Sequence, residues 1–171
     1  QVVRCFEDEN IVHVEGSVNP VRDIETIQIE LALADLASAE KRRDKAMRAA
    51  KAGDKDAKRE IEILDKLQPV LEEGRPARSV DLADEEKSIV KTWFFLTTKP
   101  TIYAANVDEA TLADPASNQH VQAVMKHAES ENADVVPICA KLEAELVALD
   151  PAERDEYLKD LGLSSSGVDK L

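Results

Sequence analysis

From residue 22 to residue 74 the apolar side chains recur at intervals of three and four. Ile24, Ile27, Leu31, Ala34 and Ser38 mark one helical stripe, and Leu33 and Leu36 widen it. Asp23 and Glu25 stand at its front; Lys41, Arg42, Arg43, Lys45, Arg48 and Lys51 stand at its back. That polarity suits a helix dipole. Ala52-Gly53-Asp54 then interrupts the pattern, Gly53 as a left-handed cap and Asp54 as the N-cap of a second helix. Ile61, Leu64, Leu67 and Leu71 carry the second helix to Gly74, with Pro69 placed to kink or tighten its end. The expected structure is an antiparallel helical hairpin whose first helix runs about 40 Å at about 1.5 Å per residue and projects from its host.

The host is read from what flanks the hairpin. Residues 1–6 read as a strand, and 7–20 as an acidic loop broken by Ile11-Val12-His13-Val14. After the hairpin come a connector over 74–79, a helix over 85–96 with Ile89, Trp93 and Leu96 on one face, and a strand over 101–105. A helix over 116–129, a strand over 133–139 and helices over 140–149 and 151–161 follow, the last with Pro151 at its first position. Alternating strands and helices imply an α/β fold with a parallel sheet, into which the hairpin is inserted. The expected division is 1–22 and 98–171 for the sheet domain and 23–97 for the inserted helical domain.

Within the sheet, the stretch KPTIYAANVDE (residues 99–109) is the one that points to chemistry. Pro100 opens an apolar, β-branched run that stops at Asn106-Val107-Asp108-Glu109. In α/β sheets ligands bind just past the carboxyl ends of strands, which is where Asn106 and Glu109 fall. The same residues also fit a strand closed by an Asn/Asp turn.

Composition narrows the partners. The 171 residues are 43% hydrophobic and 33% charged, with only five Gly and 4% aromatic residues, which argues against an all-β fold. A net charge of −13 opposes bulk affinity for nucleic acid or anionic membrane. No apolar run approaches membrane-span length and no signal peptide opens the chain. Two cysteines build neither a disulfide framework nor a zinc site, so a reducing cytoplasm is the simplest compartment. The chain opens on QVVRCF without Met and closes on SSSGVDKL, as a piece of a larger protein would.

The charge is unevenly placed. Residues 41–59 hold nine Lys/Arg and three Asp/Glu, while the rest of the chain holds 13 basic and 32 acidic residues. A basic hairpin tip suits a phosphate backbone, and Arg42, Arg43, Lys45, Arg48 and Lys51 are the candidate contacts for RNA. The same residues also fit a solvated arm whose cations serve solubility and the dipole. Nothing aromatic is interleaved, so sequence-specific RNA reading is not expected.

The loops after the strands resemble the second half of a P-loop NTPase of the GTPase class. Asn106-Val107-Asp108-Glu109 stands where that class has Asn-Lys-x-Asp, and Cys139-Ala140-Lys141 where it has Ser-Ala-Lys. With VVRCFEDENIVHVEGSVNP and IETIQIELALADLASAEKR the whole chain resembles the Obg-like ATPase (YchF) family. The resemblance implies the C-terminal half of a GTPase-like parallel sheet with an inserted coiled-coil hairpin. It also implies an ATP-hydrolysing, ribosome-associated, cytoplasmic parent that uses ATP and Mg²⁺.

The resemblance assigns nucleotide binding to Asn106, Val107, Glu109, Cys139, Ala140 and Lys141. Guanine offers a carboxylate two N–H donors; adenine offers no such pair there, and its ring N1 repels a carboxylate. Glu109 replaces the class's Asp and Val107 its Lys, and both changes favour adenine. His13 reads by itself as a half-buried loop histidine. The resemblance makes it the candidate catalytic residue that positions the attacking water. No Gly-x-x-x-x-Gly-Lys-Ser/Thr loop occurs in the sequence. The phosphate cradle and the Mg²⁺ ligands are therefore expected before residue 1 and the family's TGS domain after residue 171, and this piece alone is expected to be inactive. A non-enzymatic helical module that binds RNA or protein through the basic tip is the alternative reading.

His120 and His127 lie seven apart on a helix, too far to chelate, and read as surface residues. The resemblance places the 101–105 strand between those of Cys5 and Cys139. At about 4.8 Å per strand that puts the two thiols beyond disulfide reach.

Overall fold

The computed structural model describes residues 1–12 and 16–171. It divides into a sheet unit, Gln1–Ile24 with Thr101–Leu171, and a helical unit, Glu25–Pro100. In chain order the elements are β1 (Val2–Arg4), α1 (Pro20–Lys51), α2 (Lys55–Glu72), α3 (Asp84–Lys91), β2 (Ile102–Asn106), α4 (Gln119–Glu131), β3 (Asp134–Ile138), α5 (Ala140–Val147), α6 (Pro151–Asp160) and α7 (Gly167–Lys170). The class is α/β, with a small parallel sheet among many helices.

In the sheet unit the strand order is β1-β2-β3, all parallel. Arg4 is paired with Asn106, and Asn106 with Ile138. The three strands therefore end at one level, and their following loops must emerge side by side. Tyr103 and Ala105 of β2 are fully buried against Val3, Val121, Val124 and Ala128, so α4 covers this face. Burying each Val is worth about 1.5–3 kcal/mol. Cys139, Leu142, Leu146 and Leu158 form a second small core under α5 and α6.

Several boundaries differ from the sequence expectation, and the tail adds an element. The helix expected from 116 begins at Gln119, because the Asn118 side chain accepts hydrogen bonds from the His120 and Val121 amides. Residues 115–117 form a separate 3₁₀ turn. The third helix stops at Lys91 rather than 96, since Phe94 takes a left-handed backbone (φ 57°) and turns the chain. That turn buries both Trp93 and Phe95 and leaves Leu96 44% exposed, off the face expected for it. The tail carries α7, whose Gly167 permits close packing on β3: a Cβ there would meet Ile138 Cγ2 at 2.7 Å.

In the helical unit α1 and α2 run antiparallel. Arg42 pairs with Glu60 at 3.3 Å, Arg43 with Asp65 at 2.6 Å, and Ile29 meets Gly74. Gly53 turns the chain at φ +94°, and Asp54 caps α2 by accepting from the Asp56 and Ala57 amides. Pro69 sits inside α2, which continues to Glu72. Ala32, Ala39, Ile63, Leu64, Leu67 and Leu71 fill the seam. Arg59–Glu85 and Lys66–Glu86 ion pairs tie α3 to α2.

One buried carboxylate fastens the segments that flank α3 in this unit. Asp35 is 2% exposed and accepts from the Leu96 amide (2.7 Å), the Thr97 amide (2.7 Å) and the Thr97 hydroxyl (2.6 Å). Thr97 Oγ1 in turn accepts from the Ala77 amide at 2.9 Å. The chain on either side of α3 is thereby stapled to the middle of α1.

Candidate functional site

The loops after β1, β2 and β3 enclose a cavity of about 380 Å³. Asn106, Val107, Glu109, Cys139 and Lys141 all line it, so five of the six residues assigned to nucleotide binding meet in one place. The sixth, Ala140, is tied to it through its backbone: its amide donates to Asn106 Oδ1 at 3.0 Å. Asn106 also accepts the Cys5 amide on its backbone carbonyl at 2.7 Å. One residue at the end of the central strand thus holds the loops on both sides.

The side chains differ in how much they offer a ligand. Glu109 and Lys141 are exposed at the cavity. Val107 is 2% exposed and packs in the sheet core, and its amide donates to Ile138 O at 2.8 Å. It supports the floor and presents little surface. Cys139 is likewise 3% exposed. Asp108 accepts from the Thr111 amide at 2.8 Å, which shapes the turn that carries Glu109.

Phe6, Glu7 and Asp8 also line the cavity, and the sequence reading missed them. Their loop is held by Arg4. Its Nε donates to Phe6 O at 3.0 Å, its Nη1 to Ile11 O at 3.0 Å, and its guanidinium lies 4.9 Å from the Phe6 ring centroid. The signal lay in the Arg-x-Phe spacing after an apolar strand, which sets a cation beside an aromatic face. With Glu7, Asp8, Asp108 and Glu109 around Lys141, the cavity is lined by four carboxylates and one ammonium. Such a wall suits a neutral ligand that donates hydrogen bonds and opposes an anion.

His13, the candidate catalytic residue, lies outside the described residues. His120 sits near this loop, with Nε2 3.3 Å from Glu7 Oε1. His127, expected on the surface, packs edge-on to Tyr103 and lies 3.4 Å from Glu131, with its side chain only 16% exposed. Cys5 and Cys139 are buried free thiols. Burial pushes the Cys5 thiol up to about 12, so it is not a nucleophile at neutral pH. Among the described residues no group of three or more His, Cys, Asp or Glu could hold a metal ion, and no helix is long and apolar enough to cross a membrane.

The five basic candidates fall into two sets. Arg42 pairs with Glu60 and lies 4.9 Å from the Trp93 ring centroid, and Arg43 pairs with Asp65. Lys45, Arg48 and Lys51 are exposed and have no ion-pair partner among the described residues.

No protein-family model matches the chain. Individual relatives do. The chain is 46% identical over 170 residues to a Bacillus subtilis protein named Ribosome-binding ATPase YchF, covering 99% of this chain and 46% of that protein. It is 34% identical over 168 residues to Obg-like ATPase 1 of Saccharomyces cerevisiae, covering 94% of this chain and 42% of the relative. The solved structure of the Schizosaccharomyces pombe YchF GTPase superposes with a TM-score of 0.81 at 30% identity, over 99% of this chain and 47% of that one. The chain spans less than half the length of the relatives it matches.

Proposed function

The chain belongs by homology to the Obg-like ATPase (YchF) family, and on that premise we propose that it carries the base-reading loops and helical arm of a ribosome-associated, cytoplasmic nucleoside triphosphatase that prefers ATP. The observation that carries this reading is the convergence of Asn106, Glu109 and Lys141 on one cavity at the carboxyl end of the central strand. A purine ring entering there meets an acidic wall. Adenine presents its N6 amine to Glu109 as a donor, while Asn106, with Oδ1 given to Ala140, turns its Nδ2 toward the purine N7. The Lys141 stem covers one face of the ring and Val107 backs the floor. The carboxylates direct the phosphates away from the cavity.

Hydrolysis then depends on groups beside this site. His13 is the residue proposed to position the attacking water. The sequence holds no Gly-rich phosphate loop. We assign the phosphate cradle and the Mg²⁺ ligands to the rest of a longer parent, and the hairpin (an inserted coiled-coil domain over about 23–97) to its ribosomal contact. ATPase in one relative's name and GTPase in another's leave base preference as the point to measure.

The test is nucleotide titration and turnover in the intact parent. ATP is expected to bind about tenfold tighter than GTP. His13→Ala is expected to lower turnover by a hundredfold or so while affinity holds. Equal affinities refute the base assignment, and unchanged turnover removes the role of His13. A second reading, a non-enzymatic arm, is favoured by the exposed Lys45, Arg48 and Lys51; it predicts RNA or ribosome binding with no nucleotide binding by the parent.

A further inference from the structure

The helical unit carries an apolar cavity that shares no lining residue with the site of the sheet unit and has no assigned role. It measures about 530 Å³, and Val80, Leu82, Val90, Phe94, Phe95 and Pro100 supply its apolar wall. Three observations set it apart from an ordinary surface groove.

The first is Phe94. The residue is 79% exposed and its backbone is left-handed at φ 57°, a conformation that a bulky L-residue avoids. The chain therefore holds a large aromatic ring in solvent at a strained position. Strain of this kind collects where a side chain must be presented rather than packed.

The second is charge. Arg78, Lys87, Lys91 and Lys99 stand among the lining residues, and none of the lining residues is acidic. In a chain with 35 Asp/Glu and 22 Lys/Arg that is a local inversion of sign. Lys87 lies 3.5 Å from Asp84, and Arg78 donates to the Thr97 carbonyl. Lys91 and Lys99 are exposed, with no ion-pair partner among the described residues.

The third is the support behind the cavity. Ala77 and Thr97 are held by the buried Asp35 network, and Phe95 packs edge-on to Trp93 with ring centroids 5.6 Å apart. The wall is therefore braced from within.

We propose that this cavity is a docking site for an acidic peptide segment that inserts an aliphatic or aromatic side chain beside Phe94 and lays its carboxylates on Lys91, Lys99, Arg78 and Lys87. A cationic rim around an apolar pocket is the complement of such a segment. An anionic bilayer would face the whole −13 chain, whereas a peptide meets only the patch. Single-stranded nucleic acid binds on successive aromatic platforms, and here one ring is exposed above aliphatic walls.

The experiment is fluorescence anisotropy on the full chain, with a labelled peptide of about twelve residues that carries Phe and Leu flanked by Asp and Glu. Matched peptides replace the acids by Lys or the apolar pair by Ala. Saturable binding is expected for the first peptide alone. Lys91→Glu with Lys99→Glu should weaken it roughly tenfold, and Phe94→Gly roughly fivefold. Gly accepts the left-handed backbone, so Phe94→Gly should leave the thermal midpoint unchanged or raised, which separates loss of the ring from loss of the fold. The proposal is overturned by no saturable binding, by equal binding of the Lys peptide, by indifference to these variants, or by tighter binding of phosphatidylserine vesicles or poly(U).

Discussion

In the helical unit the carboxylate of Asp35 is buried and fully used by three hydrogen bonds; in the sheet unit the carboxylate of Glu109 stands exposed at the mouth of a cavity. Arg42 and Arg43 repeat the first pattern, each held by an acid on α2, and Lys141 repeats the second. These charges of the helical unit are a fastening, and those at the strand ends are available to a ligand. The consequence is a different failure for each region. Removing a buried or paired charge of the first, Asp35, Arg42 or Arg43, should cost stability, and removing Glu109 or Lys141 from the second should cost binding.

Asp35→Ala is the strongest way to break that comparison. It leaves the Leu96 and Thr97 amides without their acceptor, and we expect a loss of about 3 kcal/mol from the helical unit. Trp93 is the only Trp and lies in that unit, so its fluorescence in a urea titration reads the effect directly. Hydrogen exchange at the Tyr103 and Ala105 amides reads the sheet unit in the same sample and should not change. A common shift at both sites would show that the two units do not fail separately.

A smaller effect sharpens the division within α1. Arg42→Glu would face Glu60 and lose its place over Trp93, so it should cost about 1–2 kcal/mol. Reversing Lys45, Arg48 and Lys51 together should leave stability within about 0.5 kcal/mol. In the intact parent the triple reversal should weaken ribosome association at low salt and flatten its log–log salt slope by about 3. If the triple reversal unfolds the arm and Arg42→Glu does not, the assignment of roles is the wrong way round.

The legibility of the two regions differed for the same physical reason. Local, periodic signals carried through: the spacing of Leu64, Leu67 and Leu71, the Gly53-Asp54 turn, and the apolar run that ends at Asn106. What failed depended on distant partners. Asp35 carries no local signal of its role, because its partners lie 61 and 62 positions away. Leu96 fitted the helical stripe of Ile89 and Trp93, but the left-handed turn at Phe94 ends that stripe and buries Phe95 beside Trp93 instead. Asn118 outcompeted Pro115 as the start of α4 because its side-chain Oδ1 caps the helix and its side-chain Nδ2 also donates to the Cys5 carbonyl at 3.1 Å. Phe6 joined the cavity through Arg4, a contact signalled by the Arg-x-Phe spacing and not by the apolar pattern. Val107, just past the end of β2, takes its place in the sheet core by continuing the alternation of Tyr103 and Ala105.

The account rests on Glu109 being the group that reads the purine edge. Its most direct test is Glu109→Asp in the intact parent, with ATP and GTP affinities measured side by side. Shortening the side chain by one methylene withdraws the carboxylate from the adenine amine and brings it to the position that guanine's paired N–H donors need. The account predicts that the ATP preference falls by about tenfold or inverts, with thermal stability unchanged because Glu109 is exposed. A ratio of affinities that stays the same after the substitution would contradict it.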